Sequence, residues 1–145
     1  MTWQYVAGFF DGEGNINCEV RKGTSHRKFE LKWYQTTREV LDAIGVFLAE
    51  EGIKSNVFEF RAGVRKVRCY CLSVASCADV YRALDSMYPY MVVKRTKAEE
   101  IMEVIEHRVV EAQAGRLTHH SALRALRPLI NGTLTIPVGS VGSGS

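Results

Sequence analysis

Two carboxylates, Asp11 and Glu13, interrupt an otherwise apolar stretch near the start of the chain, Val6-Ala7-Gly8-Phe9-Phe10-Asp11-Gly12-Glu13-Gly14. Carboxylate oxygens are hard donors of the kind that hold Mg²⁺. Trp3, Tyr5, Val6, Phe9 and Phe10 are too apolar for a free surface helix, so a packed one is predicted from Thr2, its N-cap, to about Asp11. Gly12 and Gly14 would end it. Glu13 then meets the negative end of the helix dipole, which costs an exposed carboxylate about 0.3–1 kcal/mol. A side chain so badly placed for stability is well placed to hold a cation. Gly8 and Gly12 lie four apart and share one helix face, where small residues, with Ala7 beside them, let a second backbone approach closely. The same residues also fit an ordinary buried helix that stops at glycine.

Charge supplies a second kind of chemistry. Residues 15–35 and 54–74 together hold ten Lys/Arg against Glu19, Glu30 and Glu59, a net +7, and the rest holds nine against thirteen, a net −4, giving +3 for the chain. Two basic segments in an otherwise acidic chain point to a polyanion, with solvated hairpin tips as the plainer alternative. Cys18, Cys69, Cys71 and Cys77 follow no disulfide spacing and fit a reducing intracellular compartment. Cys69 and Cys71 with His119 and His120 could be drawn as a zinc site, but no pair has the usual ligand spacing, and buried or half-buried thiols suit them better. No apolar run approaches the roughly 20 residues that span a bilayer. No export leader is visible, so secretion and membrane partners are not expected.

The elements that would position these groups follow from periodicity. From Asn15 to Arg21 the residues alternate, Ile16, Cys18 and Val20 against Asn15, Asn17, Glu19 and Arg21. After a turn at residues 22–25, Phe29, Leu31 and Trp33 alternate with Lys28, Glu30, Lys32 and Tyr34, which makes a hairpin with one apolar and one basic face. Thr36-x-x-Glu39 is a capping box opening a helix that Gly52 closes. Residues 57–61 and 67–74 form a second hairpin, with Arg61, Arg65, Lys66 and Arg68 about its Ala62-Gly63 turn. Further boxes at Ser76-x-x-Asp79 and Thr96-x-x-Glu99 open a helix ending before Pro89 and a longer one ending near Gly115. A short helix from about His119 is expected to stop at Pro128. Residues 1–130 read as one α+β domain, a four-stranded antiparallel sheet with helices on its apolar face and the basic excess on its open face. Residues 131–145, rich in Gly, Ser and Thr, read as a flexible tail.

The stretch Val6–Gly14 resembles the LAGLIDADG motif of homing endonucleases, with Val6 at its first position, Glu13 at the metal-binding acid and Gly14 at its last. Two later stretches resemble the same family: Gln35 at the end of a strand before Thr-x-Arg, and Pro89-Tyr90-Met91-Val92-Val93-Lys94 ending in a lysine. The resemblance implies an α-β-β-α-β-β-α core with a saddle-shaped sheet over most of residues 3–112. It makes Glu13, Gln35 and Lys94 the catalytic candidates: Gln35 positions water, and Lys94 acts beside the scissile phosphates. Glu13 and Gly12 would hold Mg²⁺, or Mn²⁺ in its place, and no nucleotide cofactor is implied. One Glu13 is too few for a metal pair about 3.5–4 Å apart. A homodimer joined through Ala7, Gly8, Asp11 and Gly12 would supply two. The partner would be duplex DNA with a near-palindromic site, cut in both strands to leave short 3′ overhangs. Asn15, Asn17, Glu19, Arg21, Lys28, Glu30, Lys32, Arg61, Lys66 and Arg68 are the candidate DNA-binding residues. No intein splicing blocks are present, so an intron-encoded or free-standing enzyme is expected. An RNA maturase, or a regulator that binds DNA without cutting it, is the alternative that the same family implies.

Overall fold

The computed structural model describes residues 1–20, 27–117 and 120–131. Arg21, the turn at 22–25, His119 and the tail from residue 132 lie outside them. Helix α1 (Trp3–Glu13) leads into strands β1 (Gly14–Val20) and β2 (Arg27–Gln35). Helix α2 (Arg38–Glu50), strands β3 (Asn56–Ala62) and β4 (Val67–Val74) and helix α3 (Cys77–Met87) follow. A short 3-10 turn (Tyr88–Tyr90) precedes α4 (Arg95–Gln113) and α5 (His120–Ile130). The sheet is antiparallel in the order β1-β2-β4-β3. Among the described residues no helix is long and apolar enough to cross a membrane.

Alternation decides what the sheet gives to the core. Ile16, Leu31, Trp33, Leu72 and Val74 fall on one side and are buried against the helices. Partners in register share a side, so Ile16 opposite Leu31 and Trp33 opposite Leu72 build one continuous apolar layer. Phe10 of α1 meets Trp33 edge-on, with ring centroids 4.7 Å apart. Truncating either ring would cost about 3–5 kcal/mol. Ile101, Ile105 and Val109 bring α4 onto the same core.

Thr2 caps α1 as expected, its hydroxyl accepting the Tyr5 amide at 3.2 Å. The three anticipated capping boxes do not form. Helix α2 starts one residue later than expected, with Thr37 as an N-cap that makes no side-chain bond, because Thr36 donates to Gln35 instead. The buried Asp79 accepts the Lys54 amide at 3.4 Å, and Ser76 makes no side-chain cap. Glu99 accepts from the Tyr88 hydroxyl, and α4 starts at Arg95 with Lys94 as its N-cap. At α2 the preceding residue outcompetes the box, and at α3 and α4 more distant partners do. Pro128 does not stop the last helix but lies inside α5, which continues to Ile130. Leu126 and Leu129, both buried, hold that turn against the core and offset the roughly 3 kcal/mol that an interior proline costs.

Candidate functional site

The C-terminal end of α1 gathers the chemistry. Glu13 is the last helical residue and Gly14 the cap, its amide bonded to the Phe10 carbonyl. Gly14 must be glycine, since a Cβ there would lie 2.5 Å from Phe10 Cδ1. This close turn passes the chain directly from α1 into β1, whose Gly14 pairs with Trp33 of β2. Gln35, two residues beyond Trp33, therefore emerges from the sheet at the same end as Glu13.

Asp11 and Glu13 have opposite surroundings. Asp11 Oδ2 accepts the Val92 and Val93 amides at 2.6 and 3.2 Å, and Oδ1 accepts the Lys94 amide at 3.0 Å. Burial works to raise its carboxyl, but the three backbone bonds and the Lys94 charge outweigh that and hold it below the ordinary carboxylate value. Lys94 Nζ in turn donates to the Asp11 carbonyl at 2.6 Å and lies 5.9 Å from the centre of the Phe10 ring. Asp11 thus ties the segment before α4 onto α1 and fixes where the ammonium sits, a role the sequence reading missed. Glu13, in contrast, is exposed and makes no hydrogen bond or ion pair among the described residues.

Gln35 Oε1 accepts from the Thr36 amide at 2.8 Å and the Thr36 hydroxyl at 3.2 Å. The amide orientation is set by those donors, so its NH₂ is the end left to meet another ligand. Of the residues expected at an interface between copies, Gly8 and Gly12 are exposed, and a Cβ on either would meet nothing within 4 Å. Ala7 departs from the expectation: it has no exposed surface and belongs to the subunit's own core. Asp11 is committed within the subunit as described.

The face of the sheet turned from the helices holds the remaining candidates, unevenly. On the β1–β2 hairpin, register places Asn15 opposite Lys32, Asn17 opposite Glu30 and Glu19 opposite Lys28, all on the open side. Asn15 donates to Asn17 at 3.0 Å, Lys32 pairs with Glu30 at 3.1 Å, and Ser73 donates to Glu30 at 2.8 Å. Burial pushes Glu30 upward, but the bonds from Ser73 and Lys32 leave its carboxyl below the ordinary value. The Glu30 hydrogen bond raises Lys32, against the pull of burial.

On the β3–β4 hairpin the expected distribution of charge is corrected. Arg61 is paired in register with Arg68, and both share the side of Val57 and Leu72, the helix side. There Glu59 takes Arg68 at 3.0 Å and Arg61 at 3.8 Å. Lys66 lies in the turn with φ 53°. The open side of this hairpin carries Phe58, Phe60 and Cys69, beside Tyr34 of β2. Phe60 and Tyr34 meet edge-on at 5.8 Å, and Phe58 remains 39% exposed. Counting strand parity from the turn would have revealed this.

A family profile described as a LAGLIDADG-like domain matches residues 3–87. No curated protein matches the chain. Among solved structures it is similar to the homing endonuclease I-CvuI, solved with DNA that is not cleaved in 2 mM Mg, at a TM-score of 0.57 and 18% identity over 92% of this chain and 96% of that one. An archaeal intron-encoded homing endonuclease, I-Vdi141I, complexed with DNA, matches at a TM-score of 0.57 and 22% identity over 89% and 79% of the two chains. The homing endonuclease I-GzeII with its DNA target matches at 0.60 and 14% identity, over 99% of this chain and 48% of that one. At these identities the likeness is one of fold, and it agrees with the α+β architecture expected from periodicity.

Proposed function

The chain belongs to the LAGLIDADG-like domain family, and on that premise we propose that it is a site-specific DNA endonuclease that hydrolyses phosphodiesters with Mg²⁺ as a homodimer. The observation that carries this reading is the contrast at the end of α1: Asp11 is fully engaged while Glu13 is exposed and unpaired. A carboxylate left without a partner at the negative end of a helix has no evident structural purpose.

The donor set fits the metal in part. The Glu13 carboxylate and the Gly12 carbonyl are hard oxygen donors of the type Mg²⁺ takes. Among the described residues no three His, Cys, Asp or Glu side chains cluster to hold an ion. One subunit therefore offers half a site, and a second copy supplies the other half. When bound, the metal would lower the pKa of the attacking water and offset phosphoryl charge. The NH₂ of Gln35 orients that water, and Lys94, held by the Asp11 carbonyl, brings positive charge beside the phosphate. Gly8 and Gly12 leave room for a second α1 to pack closely.

The open sheet face lies against duplex DNA, whose major groove admits a two-stranded ribbon. Asn15, Asn17, Glu19, Lys28, Glu30 and Lys32 offer polar groups to base edges and phosphates. Phe58 and Phe60 offer apolar groups that suit thymine methyls. A symmetric dimer would read a near-palindromic target.

The test starts by selecting bound duplexes from a randomised pool and ends with Mg²⁺ cleavage of the winners. Cutting by wild type and binding without cutting by Glu13→Gln are the expected results. Tight binding with no cutting by wild type would instead make the protein a non-cleaving binder, and absence of binding would remove the DNA reading altogether.

A further inference from the structure

On the helix side, the starts of β2 and α3 and the facing sides of α4 and α5 enclose a groove of about 610 Å³. Six cations line it: Arg27 on β2, Lys28 next to it, which is shared with the open sheet face, Lys54 before β3, Arg82 on α3, Arg108 on α4 and Arg124 on α5. Asp79 is the one acid among the lining residues. Burial raises its carboxyl, while the Lys54 amide and the charges of Arg82 and Lys54 act to lower it. None of the six cations makes an ion pair among the described residues. Every Asp and Glu of the chain lies within those residues, since 21–26, 118–119 and 132–145 contain none.

Two of the six are fixed by carbonyls rather than carboxylates. Arg82 donates to the Gly52 and Glu51 carbonyls at 3.0 and 3.3 Å, and Arg108 donates to the Arg27 carbonyl at 3.4 Å. Their charge is positioned by those carbonyls, and Asp79 is the one carboxylate near Arg82 among the lining residues. The groove also receives the first turn of α3, whose cap residue Ser76 makes no side-chain bond to the helix amides. Its floor is apolar, with Phe29 and Leu126 buried there, and the Cys77 thiol is pushed up to about 12 by burial and is inert at neutral pH. Gathering six cations around one carboxylate is unfavourable unless an anion arrives.

We propose that this groove binds the phosphodiester backbone of a single nucleic-acid strand, separately from the duplex on the open sheet face. Its volume suits one or two nucleotides and cannot admit a duplex about 20 Å across. Several cations spread over four elements match successive phosphates better than a lone anion, and the apolar floor suits a sugar or base.

The test uses the full chain and labelled single-stranded ten-nucleotide probes, one DNA and one RNA, read by fluorescence anisotropy. Lys54→Gln/Arg124→Gln removes two exposed cations whose side chains make no hydrogen bond within the described residues. An unchanged thermal melting curve establishes that this variant folds. The expected result is at least about a tenfold loss of strand affinity and a salt slope shallower by about 1.4, for two lost phosphate contacts. Duplex affinity stays unchanged, and saturating duplex does not displace the strand. The stronger of the two probes identifies the sugar. Wild-type strand affinity in the variant, or displacement by duplex, would overturn the proposal. Displacement by an equal concentration of mononucleotide would overturn its assignment to a strand. Duplex binding and cleavage are read separately, so this inference and the nuclease reading fail on different observations.

Discussion

The two hairpins of the sheet are built alike and present opposite chemistry. Both join antiparallel strands, and both belong to segments where cations outnumber acids. In β1–β2 the charged and amide side chains fall on the open side, Asn15, Asn17, Lys28, Glu30 and Lys32 among them. In β3–β4 the parity is reversed: Arg61 and Arg68 point to the helix side, and Phe58 and Phe60 take the open side. Composition counts charges, whereas register decides which face receives them, and a shift of one residue exchanges the two. A groove-reading surface made this way is polar at one end and apolar at the other.

The comparison would break most visibly at its apolar end. Phe58→Ala with Phe60→Ala should cost about 2 kcal/mol of affinity for the selected duplex, since each base contact contributes roughly 1–3 kcal/mol. The loss should concentrate at thymines under β3–β4. Replacing those thymines by deoxyuracil, which removes one methyl apiece, should cost wild type about 0.8 kcal/mol per position and the variant almost nothing. An equal response to deoxyuracil in both proteins would refute the apolar readout.

A smaller change is expected at the polar end. Lys32→Gln should weaken binding to all duplexes alike, by about 1 kcal/mol, and flatten the salt slope by about 0.9, as for one lost phosphate contact. A sequence-specific loss would show that Lys32 reads a base instead.

Acid should sharpen the same contrast. The Glu30 carboxyl is held below its ordinary value of 4.5, so its pairing with Lys32 and Ser73 stabilises the fold above that pH. That contribution is lost as pH falls through the lowered folded value. Protonation there also frees Lys32, so duplex affinity should rise on acidification in wild type and stay flat in Glu30→Gln. Titrations in acidic buffer at constant ionic strength read the difference. The smallest effect is predicted for Arg68→Gln: under about 0.5 kcal/mol on duplex binding, because that guanidinium faces the helix side on Glu59 as an exposed pair.

These cases also show what a sequence can disclose. The alternation of Ile16, Cys18, Phe29, Leu31 and Trp33 was legible because one side is wholly apolar. The Arg61–Arg68 parity was legible only by counting residues from the turn, because Phe58 and Phe60 occupy the open side and blur the apolar pattern. The boxes at Thr36, Ser76 and Thr96 were readable as local signals, but the neighbouring Gln35 side chain takes Thr36, and Lys54 and Tyr88 supply distant partners that no local window contains. Glu13 stood out by its unfavourable place on α1. The role of Asp11 was hidden because its partners, the amides of residues 92–94, lie some eighty residues along the chain.

The most direct test of the account is a mixing experiment on the half-site at Glu13. Wild type and Glu13→Gln are combined at fixed total concentration, allowed to exchange subunits, and assayed for double-strand cleavage of the selected duplex in Mg²⁺. If two copies must each bring a glutamate, cleavage falls as the square of the wild-type fraction, to about one quarter at equal mixing. A fall only to about three quarters, with mixed dimers fully active, or a linear fall to about one half, with each copy acting alone, would show that a single Glu13 suffices and would contradict the shared site.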